Sequence, residues 1–473
     1  MTNASDRKTI YFVSLGCPKN RVDSEVMAGV ADGRDYDLVD DPEKASVIVV
    51  NTCGFIGGAK QESIDTIFEM AGFKRPGGCE KLVVTGCLSQ RHPEELASEM
   101  PEVDHFLGSS DMLKLGEVLD GRGERMMVGN PADWVLKASD PRALTTGRAS
   151  AYLKIAEGCN RTCSFCVIPT LRGKQRSRSI DDVVREAEAL VAQGVLEINL
   201  VSQDTIAYGR DLPREGRPEL SELIRRVADV KGLRWLRVHY LYPETLGDEL
   251  IELLGQHPVV LPYVDMPLQH AADPMLRRMR RGHGGDRLRR VVERLRAGVP
   301  DLVFRTAFIV GHPGETDEEF KELCDFVSWA EFDRVGVFRY SDEDTSLSAT
   351  LADKVTGRVA EARHRKLMAL QRKIARKKNQ ALVGKELEVI VEGMSDEHEY
   401  VMMGRHKGQA PEIDGQVYLS EGEVRAGELR RVKIVQASDY DLVAEVLDER
   451  PLVEAKPRPV RAKGGRVSLA VLR

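Results

Sequence analysis

CNRTCSFC, at residues 159–166, is the most informative stretch of this chain, because it spaces Cys159, Cys163 and Cys166 as C-x3-C-x2-C. Thiolate is the usual protein ligand of iron–sulfur clusters, and three thiolates can hold three irons of a cubane 4Fe-4S cluster. The fourth iron is then open to a substrate or cofactor. Zinc normally takes four ligands, typically in C-x2-C pairs, and no histidine lies nearby in the sequence. The spacing therefore favours a redox or catalytic cluster over a zinc site or three buried free cysteines.

Length and composition limit the classes of protein to be considered. A chain of 473 residues predicts two to four domains. The net charge of −6 gives no general basicity that would indicate nucleic-acid binding, and aromatic residues make up only 5%. The sequence has no apolar run long enough to span a membrane and no signal peptide at its start, so we expect a soluble, cytoplasmic protein. Eight cysteines in such a protein indicate metal binding or catalysis rather than disulfides.

Three cysteines also end the first three predicted strands. The strands, at residues 9–17, 47–53 and 81–87, are short β-branched runs, typical of a Rossmann-like parallel α/β sheet, and they end in Cys17, Cys53 and Cys87. Because the carboxyl ends of parallel strands share one sheet edge, we expect these cysteines to converge. They predict a second three-thiolate cluster. Cys79 and Cys324 lack such positions and are interpreted as free thiols.

Alternation of strands and helices resumes after a Gly-, Pro- and Arg-rich stretch, residues 121–148, that reads as a linker. Amphipathic helical stretches, such as residues 181–192 and 316–330, separate six predicted strands. Such units predict a partial parallel (β/α)6 barrel with its active-site loops at the carboxyl ends of the strands. The cysteine octet follows the first of these strands, so it is expected at the end of the barrel where the active-site loops lie. The six strands are residues 152–156, 197–202, 233–239, 263–267, 303–310 and 334–340.

Two further features of this region each allow two interpretations. GHPGET, residues 311–316, ends the fifth strand, where glycine and a helix N-terminus could approach an anionic ligand. The alternative is an ordinary turn in which Thr316 caps the helix and Glu319 completes a capping box. Nine arginines lie between Arg277 and Arg296, either as a solvated helix face or as a surface that faces RNA or a ribosome-associated substrate.

The last third of the chain changes character. A basic helical segment, residues 358–380, closes the barrel domain. Short predicted strands then alternate with glycine-containing turns, which predicts a small all-β barrel. Residues 450–473 are rich in Pro, Lys and Arg, and we expect them to be disordered without a partner. The predicted strands are residues 387–391, 401–404, 416–419, 432–436 and 442–446.

This arrangement resembles the methylthiotransferase family of radical S-adenosylmethionine enzymes, and within it the RimO-type branch that modifies a ribosomal protein. The resemblance covers residues 8–449. It implies a methylthiotransferase N-terminal domain (8–122), a radical S-adenosylmethionine core (145–382) and an OB-like TRAM domain (384–450). The basic tail after Arg450 (451–473) is an extension that departs from the family. YSDEDTS, residues 340–346, departs from the family in lacking its usual Gly-Thr. The matching stretches are SLGCPKN (14–20), VDSE (22–25), NTCGFI (51–56), KIAEGCNR (154–161), QDT (203–205), YG (208–209) and APEIDG (410–415).

The resemblance implies a reaction and its cofactors. The β-carbon of an aspartate of ribosomal protein S twelve, in the small subunit, gains a methylthio group. One S-adenosylmethionine supplies the methyl group, and a second, on the cluster of Cys159, Cys163 and Cys166, supplies a radical. The cluster of Cys17, Cys53 and Cys87 presents the sulfur. An electron donor and a sulfur donor are further partners. S-adenosylmethionine is expected to lie against Gln203, Gly311 and Pro313.

The charge of the small barrel bears on the substrate. Residues 385–449 contain seven basic and sixteen acidic residues, a net charge of −9, which would repel RNA and suits a basic protein. Glu412 and Asp414 are the candidate substrate contacts. The alternatives are a tRNA adenosine methylthiotransferase, for which tRNA would be the partner, and a non-catalytic iron–sulfur carrier or structural metal protein. The N-terminal cluster could also be an electron relay.

Overall fold

The computed structural model describes residues 8–145, 147, 149–395 and 400–455. Its secondary structure falls into three consecutive units, each built around one six-stranded sheet. The strands of the first unit are β1 (Thr9–Ser14), β2 (Asp37–Leu38), β3 (Val47–Thr52), β4 (Lys81–Gly86), β5 (His105–Leu107) and β6 (Met126–Met127). Its helices are α1 (Pro18–Asp32), α2 (Gly57–Ala71), α3 (Cys87–Arg91), α4 (Pro93–Glu99) and α5 (Leu115–Leu119).

The second and third units complete the chain. The strands of the second are β7 (Ser150–Lys154), β8 (Ala156–Glu157), β9 (Arg176–Ser177), β10 (Glu197–Val201), β11 (Trp235–Val238), β12 (Val260–Asp265), β13 (Val303–Val310) and β14 (Arg334–Arg339). Its helices are α6 (Ile168–Arg172), α7 (Ile180–Ala192), α8 (Leu220–Ala228), α9 (Asp248–Gln256), α10 (Asp273–Arg278), α11 (Gly285–Gly298), α12 (Asp317–Ala330) and α13 (Gly357–Gln380). The third contains β15 (Glu386–Met394), β16 (Met402–His406), β17 (Val417–Glu421), β18 (Glu428–Ala437), β19 (Leu442–Val446) and β20 (Val453–Glu454). Short 3-10 helices span Pro42–Lys44, Met112–Lys114, Thr205–Ala207, Pro243–Thr245 and Leu347–Thr350. Within the described part of the chain, every helix is too short or too polar to cross a membrane.

The first sheet has the order β2-β1-β3-β4-β5-β6, and every pairing in it is parallel. Alternate residues of β3 enter two separate apolar cores, one on each face, as expected for a run of β-branched residues buried on both sides. The register aligns Ser14 with Asn51 and Thr52 with Gly86. The carboxyl ends of β1, β3 and β4 therefore lie side by side, which confirms the parallel α/β sheet predicted from sequence.

The second sheet has the order β14-β13-β12-β11-β10-β7, again with every pairing parallel. Helices alternate with the strands and bury one large apolar core against them. These are the six units of the predicted partial barrel, and β13 has the predicted bounds. The two-stranded pair of β8 and β9 follows at the carboxyl end of β7, and the cysteine octet lies between these two strands in the chain.

The third sheet has the order β15-β16-β17-β19-β18-β20, and an additional pairing of β15 with β18 closes it into the predicted small barrel. Its pairings are antiparallel except the one between β17 and β19. Ile390 and Leu429 of this barrel share an apolar cluster with Trp235, Leu261 and Tyr263 of the second unit. The small barrel is therefore docked on the second unit partly through apolar side chains.

Two stretches expected to be irregular are partly structured. Residues 121–148 were predicted to be a linker, but β6 adds a sixth strand to the first sheet. Arg142 of the same stretch is buried in ion pairs with Glu25 (2.6 Å) and Glu186 (2.5 Å), which tie the first unit to the second. The expected disorder after residue 450 is wrong for β20, which pairs with Glu428 and Leu429. The rest of that tail, 456–473, lies outside the described residues.

Candidate active site

The structure brings Cys17, Cys53 and Cys87 together at the carboxyl edge of the first sheet. The Cys17 and Cys87 Sγ atoms lie 4.0 and 3.9 Å from the same atom, Oδ1 of Asn20. Gly16 adopts a φ of +92°, and a Cβ placed there would lie 3.2 Å from Sγ of Cys53. Because glycine has no Cβ, this turn leaves space for the thiol of Cys53. The convergence predicted from three strand ends is present in the fold.

Two of these thiols have raised pKa values, which disfavours their thiolate forms. Burial raises the pKa of Cys53 to about 12, and the neighbouring Cys87 and Cys17 add to the effect. Burial also raises the pKa of Cys87, although Arg172 opposes it. A cation arriving at the site would be needed to form the thiolates, and metal binding would release their protons.

The octet presents its three sulfurs to three N–H donors. The backbone N–H groups of Arg161 and Ile168 donate to Sγ of Cys159 and Cys166, both over 3.4 Å. Nη1 of Arg281 donates to Sγ of Cys163, also over 3.4 Å. Burial raises the pKa of Cys159 to about 11 and that of Cys166 to about 12. N–H donors directed at each sulfur suit the negative charge of an iron–sulfur cluster, so the donor set fits one.

Arg172 connects the two cysteine sets, since it lies on α6, directly after the octet. Its guanidinium donates to Oδ1 of Asn20 (2.5 Å) and to Asp23 (2.7 Å), both on α1. Burial by itself would lower the pKa of Arg172, but Cys87, Asp23 and Glu157 raise it well above its ordinary value. The side chain is thus a buried, permanent cation beside the strand-end cysteines.

A network of buried ion pairs extends from Arg172. Lys154, at the end of β7, forms ion pairs with Asp23 and with Glu157 (2.6 Å). Burial by itself would raise the pKa of Glu157, but Lys154, Arg172 and the Gln203 amide lower it to about 2. Sequence reasoning missed this network. Its signal was present, because Lys154 and Glu157 are charged residues in the apolar run that leads into the octet.

Several buried polar atoms around the octet have no hydrogen-bond partner among the described residues. They are Oε1 of Gln203, Oδ1 of Asp204, Nη2 of Arg161 and both side-chain amide atoms of Gln175. The other amide atom of Gln203 donates to Glu157 (2.5 Å), and the Arg161 guanidinium pairs with Asp204 (2.5 Å). Buried polar groups are normally satisfied, so this cluster fits a polar ligand such as S-adenosylmethionine beside Gln203.

The GHPGET turn forms the capping box, as the second interpretation expected. At the start of α12 the Glu319 N–H donates to Thr316 Oγ1, and the Thr316 N–H donates to the Glu319 carboxylate. The backbone N–H of Gly311 donates to Glu315 (2.5 Å), and a Cβ at Gly311 would lie 2.5 Å from Cβ of Ala360. The carbonyl of the next proline, Pro313, is 3.1 Å from Nδ1 of the intervening histidine. The contact of Gly311 and Pro313 with S-adenosylmethionine stays a prediction.

The two candidate substrate contacts of the small barrel differ. The Asp414 side chain is 2% exposed, and it accepts hydrogen bonds from the Tyr263 hydroxyl (2.7 Å) and the Ala410 N–H (2.9 Å). We correct its expected role, because a carboxylate buried between two domains cannot meet a substrate. Glu412 pairs with Arg21 of α1 (2.8 Å), and its side chain remains 39% exposed.

Two other stretches make contacts between elements. The YSDEDTS loop, which lacks the Gly-Thr expected from the family resemblance, contacts the first unit through ion pairs. Its Glu343 pairs with Lys60 (2.8 Å) and Arg91 (2.7 Å) of that unit. Part of the arginine run is engaged within the chain, since Arg278 pairs with Glu319 and Arg289 lies 5.0 Å from the Trp329 ring centroid. Its role toward RNA stays a prediction.

No three His, Cys, Asp or Glu side chains in the described ranges are close enough to hold a single metal ion. Each thiolate of a cubane binds its own iron, so the sulfurs of such a site need not converge on one point.

Comparison with known proteins assigns the family. The model of the Radical SAM superfamily matches residues 153–327, that of "Uncharacterized protein family UPF0004" matches 9–108, and that of the TRAM domain matches 383–447. The ribosomal protein uS12 methylthiotransferase RimO of Sorangium cellulosum is 70% identical over 98% of this chain and 96% of its own length. The chain belongs to the RimO family. RimO proteins of Myxococcus xanthus (51% identical; 94% of this chain, 92% of the relative) and Geobacter sulfurreducens (47%; 94% and 100%) also match.

Solved structures support the fold. The radical S-adenosylmethionine methyltransferase TsrM from Kitasatospora setae, with cobalamin and a [4Fe-4S] cluster bound, superposes with a TM-score of 0.51 at 16% identity, over 70% of this chain and 75% of that one. The cobalamin-dependent radical enzyme OxsB gives 0.50 at 11% identity, over 77% and 56%. At such identities the likeness shows the fold alone. Membership of the radical S-adenosylmethionine superfamily implies an iron–sulfur cluster and S-adenosylmethionine for this chain.

Proposed function

We propose that this chain methylthiolates ribosomal protein uS12, at the β-carbon of an aspartate. Its membership of the RimO family supports the activity and the substrate. The observation that carries the proposal is the contact between the regions of the two cysteine sets. Arg172, which follows the octet, donates to Asn20 and Asp23 of α1, and Cys87 packs in one cluster with Val167 and Leu171. A β-carbon bears no acidic proton, so acid–base chemistry alone does not serve, and two cofactor sites held side by side bring the radical and sulfur functions together.

Two clusters are proposed, each held by three cysteines. Cys159, Cys163 and Cys166 would hold the cluster that binds S-adenosylmethionine. The residues of the second cluster would be Cys17, Cys53 and Cys87. When bound, these groups supply the one-electron chemistry, the methyl group and the sulfur.

The protein's own side chains would set the environment of both groups. Arg161 N–H, Ile168 N–H and Arg281 direct hydrogen bonds to the sulfurs of the octet, and such donors tune a cluster's reduction potential. The unpartnered atoms of Gln203 and Asp204 would bind S-adenosylmethionine. Burial at the interface of the two sheets would exclude water from the reacting groups.

Partners follow from the reaction. The uS12 substrate, free or on the ribosome, and donors of electrons and sulfur are required, and a ribosomal substrate places the reaction in the cytoplasm. Glu412, half-exposed at the contact of the small barrel with α1, is the remaining candidate contact for a basic substrate. The proposed domain limits are 8–122, 145–382, 384–450 and 451–473, with β6 extending the first domain to residue 127 and β20 extending the third to residue 454.

Alanine substitution of Cys17, Cys53 or Cys87 tests the proposal. Each variant should keep roughly half of about eight iron atoms per chain, since each cubane has four, and should still cleave S-adenosylmethionine. It should form no methylthiolated uS12, even with a strong chemical reductant. Cys79→Ala is the matched control, because Cys79 is a buried cysteine of the same unit that lies before the start of β4, at the opposite end of that strand from Cys87. Product from the strand-end variants under strong reductant would favour the electron relay.

A further inference from the structure

Lys19 is a buried cation that the proposed function has not used. It lies two residues after Cys17, in the first turn of α1, and 8% of the residue is exposed. No carboxylate of the described residues lies within 4.0 Å of its ammonium, whereas the nearby cations Arg21, Lys154, Arg161 and Arg172 all have one. The Tyr240 side chain, Cys17 and Glu157 interact favourably with the ammonium. None of them is a carboxylate in contact with it, and a buried ammonium without such a partner is costly, so the position favours binding of an anion.

The surroundings of Lys19 favour an anion further. The first turn of α1 contains no acidic residue, so the positive end of the helix dipole adds to the charge of the lysine. The ammonium lies 3.5 Å from the centroid of the Tyr240 ring, at the carboxyl end of barrel strand β11. Tyr240 has a φ of +59°, a strained conformation for a bulky residue, held by a hydrogen bond from Thr205 N–H to its carbonyl. Lys19 therefore stands where the edges of the two sheets face each other.

We propose that Lys19 binds the side-chain carboxylate of the target aspartate. The inference rests on the proposed function, because it concerns how that substrate is positioned. A carboxylate accepts a hydrogen bond from an ammonium at about 2.8 Å, and the β-carbon is one bond from the carboxylate carbon. A cation two residues from Cys17 thus holds the reacting carbon beside the strand-end cysteines. The same contact would select aspartate over its neutral isostere, asparagine.

The test compares uS12 carrying aspartate with uS12 carrying asparagine at the target position, for the wild-type chain and for Lys19→Met and Lys19→Arg. Hydrogen bonds to charged groups contribute enough that the wild type should prefer aspartate by about 10- to 100-fold in kcat/KM. Lys19→Met should reduce this preference to near unity, and Lys19→Arg should keep most of it. Lys74→Met is the matched control, because Lys74 belongs to the same unit and is paired with Asp104; it should leave the preference unchanged.

A second measurement, binding of the two forms of uS12 to the iron-free chain, does not depend on loaded clusters. Lys19→Met should weaken binding of the aspartate form by about 10-fold or more and leave the asparagine form unaffected. A preference for aspartate that survives in Lys19→Met, in turnover or in binding, would overturn the proposal. Failure of the wild type to methylthiolate uS12 would instead refute the proposed function, and the binding comparison would still decide the role of Lys19.

Discussion

Glu197 forms ion pairs that link the small barrel to the barrel of the second unit, and its substitution should lower the stability of the protein measurably. The carboxylate is fully buried and accepts hydrogen bonds from Arg405 (2.6 Å), Arg237 (3.0 Å) and the Ser150 hydroxyl (2.7 Å). Arg405 belongs to β16 of the small barrel, and Arg237 to β11. Among the described residues, Glu197→Gln would leave Arg405 with Glu392 as its carboxylate partner and would take from Arg237 the carboxylate with which it pairs.

The magnitude follows from the pKa of the carboxyl. Burial by itself would raise the pKa of Glu197, but Arg405 and Arg237 lower it from 4.5 to about 2. At 1.36 kcal/mol for each unit, this difference corresponds to about 3 kcal/mol of stability, consistent with the range for a broken buried pair. That contribution is fully present above about pH 4.5, the unfolded-state value, and is lost as the pH falls toward about 2.

The assay is urea unfolding of the iron-free chain, followed by tryptophan fluorescence, because Trp235 lies in the contact between the two barrels. Glu197→Gln should lower the free energy of unfolding by about 3 kcal/mol at pH 7, and the difference should shrink on acidification. Glu388→Gln is the control, since its pair with Lys407 is exposed and should contribute less than about 1 kcal/mol. A loss below about 1 kcal/mol in Glu197→Gln would refute the reasoning.

Three further predictions address the two cysteine sets and the substrate. Cys159→Ala, Cys163→Ala and Cys166→Ala should each abolish cleavage of S-adenosylmethionine and keep roughly half the iron, whereas Cys324→Ala should do neither; normal deoxyadenosine formation would contradict the assignment. Gly16→Ala should selectively remove the strand-end cluster, because its Cβ would lie 2.9 Å from Cβ of Cys53; Gly121→Ala, with φ of +74° and open space around it, controls for backbone strain, and equal iron in both variants would count against the geometry. Binding of uS12 to the whole chain should weaken as ionic strength rises, and salt-independent binding measured by calorimetry would argue against an acidic docking surface.

The sequence predicted the three sheets and the meeting of the cysteines because those features depend on local patterns. Apolar β-branched runs mark strands buried on both faces, and a cysteine after each of three parallel strands must come to one edge. Contacts between distant segments left weaker signals. Arg172 and Asp23 are 149 positions apart, and the residues around each of them give no sequence signal that the two side chains pair.

The errors have the same origin. Asp414 was predicted to be a surface contact from the net charge of the small barrel, yet it pairs with Tyr263 across a domain boundary. Residues 121–148 read as a linker from their Gly and Pro content, while Arg142 within them meets two carboxylates from separate units. Strand β20 is only two residues long and depends on its pairing with β18 rather than on its own sequence.

The most direct test of two cooperating clusters is mass spectrometry of uS12 after incubation with the reconstituted chain, S-adenosylmethionine and a strong reductant, with tRNA as a competing substrate. The account predicts one methylthio group on an aspartate of uS12 and none on tRNA adenosine. With Cys17→Ala, Cys53→Ala or Cys87→Ala, deoxyadenosine should form while uS12 stays unmodified. Methylthiolated tRNA beside unmodified uS12, or modified uS12 from those variants, would contradict it.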